Sequence, residues 1–153
     1  MAILYKSSFV HHLTKIAVEV MFFGGLVCFA LVPVLLPKVI DAFGYHRTDV
    51  LPLMAVLLSS GLCSLYILWQ LKIMLKTLLG GNPFVYDNAA CMRKCAVASM
   101  LISLIYLVKI VFWFTLASTV IVIIFFLLSL FCLTLKDVFK QAVAYKEEND
   151  WTV

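Results

Sequence analysis

Two ionisable residues, Glu19 and Lys109, stand inside apolar stretches of this 153-residue chain. A charge at the centre of a membrane helix costs about 2.5–3.5 kcal/mol on insertion scales, so such residues are candidates for an ion or ligand role. Each also has a plainer reading. Glu19 follows Lys15 by four residues, the spacing of an intrahelical pair or interface cap. Lys109 lies near the end of its apolar run, where a lysine stem carries the ammonium to the headgroup level.

Other side chains with chemical potential are scattered. Cys91 and Cys95 are one helical turn apart and flank Arg93 and Lys94, cations that can lower a thiol pKa. Metal ligation needs spaced donors such as H-E-x-x-H or paired C-x2-C units, and His11, His12 and His46 provide neither. Ser59 and Ser60 lack a G-x-S-x-G setting and have no histidine at their depth. Cys28, Cys63 and Cys132 lie in apolar runs, so free thiols are expected rather than a secreted disulfide framework. The expectation is a protein that is not an enzyme, with no cofactor and no metal.

The elements that position these residues follow from composition. The chain is 65% hydrophobic and only 13% charged, against roughly 25% charged in soluble domains. The bilayer must therefore solvate much of it. A span needs about 20 mainly apolar residues, and segments 16–37, 50–71, 96–114 and 119–135 meet that test. Backbone groups in lipid must be satisfied within the segment, so these are predicted helices. The fold class is an all-α, four-helix transmembrane bundle in one integral membrane domain over 1–153. The first apolar run is too long for a signal-peptide h-region and no A-x-A-like site follows, so it is read as an uncleaved span.

Orientation follows from the basic residues. Lys6, Lys15, Lys72, Lys76, Arg93, Lys94, Lys136, Lys140 and Lys146 fall on one side, and Lys38 and Arg47 on the other. That asymmetry predicts both termini (N-in/C-in) and a loop at 80–95 in the cytoplasm. Tyr66 with Trp69, and Phe112 with Trp113, suit the inner and outer aromatic belts. The net charge of +4 reads as topology and anionic-lipid contact, without direct nucleic-acid binding. Gly24 and Cys28, Ser60 and Ser64, and Ser99 and Ser103 have small-xxx-small spacing, which lets helices approach closely within a bundle or a homo-oligomer.

Two helices outrun the membrane. The second can continue through "KIMLKTLL" to Leu79, and the fourth through "LKDVFKQAVAYKEEND". In the latter, Leu135, Val138, Phe139, Ala142 and Val143 recur at helical spacing, giving an amphipathic cytoplasmic extension within the tail 136–153. Between spans two and three stands "GGNPFVYDN". Gly80 and Gly81 suit a helix C-cap, Asn82 before Pro83 is pushed to extended geometry, and Asp87 or Asn88 suits the next N-cap. A capped turn does not require Phe84 and Tyr86, which are expected to pack on the helical extensions, a partner or the lipid interface.

The stretch "GGNPFVYDNAACMRK", followed by two spans and "LKDVFKQAVAYKEENDWTV", resembles the bacterial membrane-protein family catalogued as domain of unknown function (DUF) 2975. Its members share a G-x-PF…N turn between spans two and three and an F…A…ENDLT-like tail. The match covers Gly81, Pro83, Phe84, Asn88 and Arg93, then Phe139, Ala142, Glu148, Asn149, Asp150 and Thr152. Trp151 departs from the usual aliphatic residue, and Cys91 and Cys95 lie outside the pattern. The resemblance implies a four-span protein of the bacterial inner (cytoplasmic) membrane. It also implies a cytosolic partner, because members are often encoded beside a small helix-turn-helix transcription regulator. The leading expectation is thus a partner surface made of the matched residues with Tyr86. An immunity or resistance protein against a membrane-active peptide or toxin is the alternative, or an oligomeric small-solute carrier using Glu19 and Lys109.

Overall fold

Apolar runs of this length leave the backbone one way to satisfy its hydrogen bonds without water, and the chain takes it throughout. The computed structural model describes residues 2–43, 50–79 and 85–150, with side-chain surroundings for 12–42, 50–78 and 85–148. Helices α1 (Ala2–Phe43), α2 (Val50–Leu79), α3 (Tyr86–Phe112) and α4 (Leu116–Asp150) account for nearly all of them. All four are long and apolar enough to cross a membrane. The sequence expectation of an all-α protein with four membrane-capable helices therefore holds. Helix α1 continues through Pro33 and Pro37 to Phe43, past the span end expected at Pro37.

The helices pack in chain order. Among the described residues α1 packs on α2, α2 on α3 and α3 on α4, and no other pair of helices comes together. The bundle is therefore an open row. Helix α3 sits between two neighbours and holds the deepest residues, with Ala96 and Ile102 1% exposed and Ser99 fully buried. Of its ten buried residues, Met92, Cys95, Ala96, Ser99, Ile102 and Ser103 follow the i, i+3, i+4 spacing of a core-facing helix. Ile67 and Met74 of α2, and Leu135 and Phe139 of α4, pack on the Met92–Cys95–Ala96–Cys132 cluster. At the end of the row, the most apolar window of α1 has no buried residue. Phe23, Val27 and Val34 of that helix are exposed apolar side chains.

Small residues make the seams. Ser129 Oγ donates to the Ala96 carbonyl at 2.9 Å, and Ser103 Oγ to the Val122 carbonyl at 3.2 Å. Interhelical bonds of this kind average about 0.6 kcal/mol in a membrane, so the close packing that Ala96, Ser99 and Ser103 permit is the larger contribution. The Ser99–Ser103 stripe thus lies where its spacing predicted. Gly24 and Cys28 do not enter a seam: a side chain at Gly24 would meet nothing within 4 Å, and Cys28 is exposed. The neighbouring register is used instead. A Cβ on Gly61 would lie 3.0 Å from the Phe29 ring, and one on Gly25 3.3 Å from Leu65.

Most of the length beyond the expected spans collects at one end. The helices have 42, 30, 27 and 35 residues, or about 63, 45, 40 and 52 Å at about 1.5 Å per residue. A hydrocarbon core of about 30 Å cannot cover them. The excess segments are the start of α1, the end of α2, the start of α3 and the end of α4. These carry most of the basic residues, and the antiparallel row places them together at what is here called the basic end. At the other end only residues 113–115 separate α3 from α4.

Candidate functional site

The basic end is held together by two polar ties that bridge helices. The first joins the last turn of α2 to the first turn of α3. Thr77 Oγ1 lies 2.6 Å from Asn88 Oδ1 and 2.7 Å from the Met74 carbonyl. One hydroxyl proton serves one acceptor at a time, so the Thr77 hydroxyl is shared between the Asn88 amide oxygen and the Met74 carbonyl. Asn88 is fully buried and faces α2. The expected capping role is therefore corrected. The N-cap of α3 is Val85, extended at φ −130° and ψ 145°, and no side chain caps it. Asn88 is spent on the seam because burial without a partner would cost its amide far more than a frayed first turn.

The second tie joins α3 to the tail, 61 positions apart: Tyr86 Oη donates to Glu147 Oε2 at 3.2 Å. The charge of Glu147 pushes the Tyr86 phenol above its usual range, with some desolvation and the hydrogen bond itself adding to it. The phenol therefore stays protonated as the donor. The tie is present below the ordinary phenol range and is lost as pH rises through the raised value. Tyr86 thus meets the tail, as one of the expectations for it held. Both partners are exposed, so the bond sets the position of the tail more than its stability.

Beneath that tie α4 keeps an apolar face against α3. Val143 is 3% exposed, and Phe139 and Ala142 are half-buried. Val138, expected on the same face, is 55% exposed. It lies about 100° around the helix from Phe139, at the edge of the stripe. Arg93 is exposed on α3. With Lys94 and Tyr66 it borders a shallow recess of about 460 Å³ between α2 and α3, floored by Leu62, Val97 and Leu101. Glu148 is exposed on the tail. Gly81, Pro83, Phe84 and Thr152 lie outside the described residues, as do the side chains of Asn149 and Asp150.

The intramembrane candidates are paired locally at opposite ends of the row. Glu19 does not pair with Lys15 as its spacing suggested; its carboxylate lies 4.0 Å from Lys72 Nζ on α2. A neighbouring helix outcompetes the i−4 lysine there because Lys72 is also held over the Phe22 and Phe23 rings at 5.7 and 5.9 Å. Lys109 reaches toward the start of α4. Its Nζ donates to Ser118 Oγ at 2.7 Å, across the short link into α4. Cys91 and Cys95 are both buried. Burial raises the Cys91 thiol pKa more than nearby Lys94 lowers it, so the flanking cations do not make a reactive thiolate.

Sequence reasoning passed over two residues. Thr77 lies in the extension "KIMLKTLL", where a hydroxyl one turn before "GG" is the natural partner for a polar group just after the turn. Gln70 is 4% exposed on α2, with no hydrogen-bond partner for its Oε1. Only knowledge of which helices adjoin would have placed it inside.

The model of the family described as "Protein of unknown function (DUF2975)" matches residues 7–153, nearly the whole chain. The chain belongs to the DUF2975 family. No curated protein and no solved structure matches it. As a DUF2975 protein it has four apolar helices compatible with a multi-pass integral membrane protein. At its basic end Tyr86, beside the matched turn, meets Glu147, beside the matched tail, while the matched Asn88 is buried.

Proposed function

We propose that this DUF2975 protein is a non-enzymatic protein of the bacterial cytoplasmic membrane whose basic end faces the cytoplasm and binds a protein partner there. One observation carries the reading. All four helices are longer than a hydrocarbon core needs, their lysine-rich ends lie together, and α3 and α4 are tied to each other there by Tyr86 and Glu147. Lipid does not need such a ledge, and catalysis would need a constellation that its separated ion pairs do not supply. The small helix-turn-helix regulator that accompanies family members is the first partner to test. Glu19 and Lys109, each satisfied locally and at opposite ends, give no motive for solute carriage.

Removing residues 144–153 takes away Glu147 and leaves the buried Val143 in place. The truncated chain is expected to enter the membrane at full yield and to lose co-purification with the neighbouring regulator. Undiminished co-purification would end the proposal.

A further inference from the structure

The basic end holds a second feature, on the far side of α2 from the tail. Between α1 and α2 lies a recess of about 490 Å³ lined by Lys15, Glu19, Trp69, Lys72, Ile73 and Lys76. That volume is in the range of small-molecule sites, about 300–1,000 Å³. Three ammonium groups face one carboxylate. Glu19 is committed to Lys72, and among the described residues no carboxylate lies within 4.0 Å of Lys15 or Lys76. Two of its positive charges thus have no ion-pair partner among the described residues.

Its walls are graded along the helices. Lys15 and Lys76 stand one helical turn beyond Glu19 and Lys72, on the side away from the apolar spans. One turn further in, Phe22 and Trp69 pack with ring centroids 5.9 Å apart, and Trp69 is 50% exposed. Cations outermost, an ion pair next and an amphipathic aromatic beneath reproduce the polarity profile of a lipid headgroup region. A free anion would use the lysines and have no use for Trp69 and Ile73. A basic pocket between helices at the membrane surface is also the known physical form of an anionic-headgroup site.

We propose that this recess binds the phosphate of an anionic phospholipid, with Lys15 and Lys76 holding the phosphate and Trp69 lying against the glycerol and upper acyl chain. The inference rests on the membrane location of the chain and is independent of the partner reading.

The test uses Trp69 as its reporter. In the full chain carrying Trp113→Phe and Trp151→Phe, Trp69 is the remaining tryptophan. The protein is reconstituted in phosphatidylcholine vesicles with a minor component brominated on its upper acyl chains. Brominated phosphatidylglycerol is expected to quench Trp69 at about tenfold lower mole fraction than brominated phosphatidylcholine. Lys15→Gln with Lys76→Gln should bring the two lipids within about twofold of each other. Lys94→Gln with Lys140→Gln, an equal loss of charge outside the recess, should leave the preference in place. Equal quenching by both lipids in the chain with all lysines intact overturns the proposal and requires no lysine variant to fold. Equal loss in both double variants overturns it as well, because diffuse surface attraction would then suffice. Millimolar inorganic phosphate should not reverse the quenching, and reversal would assign the recess to a free anion instead.

Discussion

Asn88→Ala is expected to destabilise the protein in detergent by about 1–3 kcal/mol, the usual cost of removing one member of a buried hydrogen-bonded pair. Asn88 is fully buried, and its side chain meets the Thr77 hydroxyl at 2.6 Å. In the same turn its backbone N–H donates to the Val85 carbonyl at 3.0 Å, so the start of α3 is held from both sides. Alanine keeps the helix and leaves a small void facing α2. Thr77→Val removes the other member while keeping its shape. The two substitutions together should cost clearly less than the sum of the two alone, since each breaks the same contact. Strict additivity in detergent denaturation would mean that the contact contributes nothing.

Val143→Asp is expected to release the last turns of α4 from α3 while the four spans stay in place. Val143 is 3% exposed, on the apolar face that α4 turns toward the row. An aspartate there has two outcomes, and magnitude decides between them. Burying an unpaired carboxylate costs several kcal/mol or more. Peeling away a terminal segment held by half-buried apolar contacts and exposed polar ones costs less. The segment should therefore leave. Amide exchange over 136–150 is expected to rise at least about tenfold, as for a local opening made favourable, with exchange in α2 and the core of α3 unchanged. The phenol of Tyr86 should return toward its ordinary titration range once Glu147 has moved off. Val143→Ala, which keeps the face apolar, should show a far smaller change. Unaltered exchange in 136–150 for the aspartate variant would mean that the extension does not depend on this face.

Much of this architecture was legible in the sequence because lipid imposes it. Runs such as "FFGGLVCFALVPVLL" admit no structure but helix, and the helix-four extension showed its apolar face at Phe139, Ala142 and Val143. The helical start of α1, residues 2–15, was not anticipated: it lacks both an unbroken apolar run and a capping signal. The pairings were less legible still. Glu19 was matched to the lysine nearest in sequence, whereas the row brings Lys72 closer. Asn88 has the residue type of a cap and the position of one, yet α2 supplies a better partner. A helix surrounded mostly by lipid carries little periodicity to show which side meets its neighbour. Polar contacts between helices were therefore hidden until the order of the row was known. Tyr86 was the exception, since a tyrosine that a turn does not require invites a search for its partner.

The most direct test of the partner surface is photo-cross-linking in living cells, with a photoreactive residue placed at Tyr145 or at Val111. Both positions are well exposed, at 71% and 78%, and they lie at opposite ends of the row. An adduct containing the proposed partner, a small helix-turn-helix regulator, is expected from position 145 and none from position 111. Its absence at 145, or equal yield from both positions, would contradict a partner-binding ledge at the basic end.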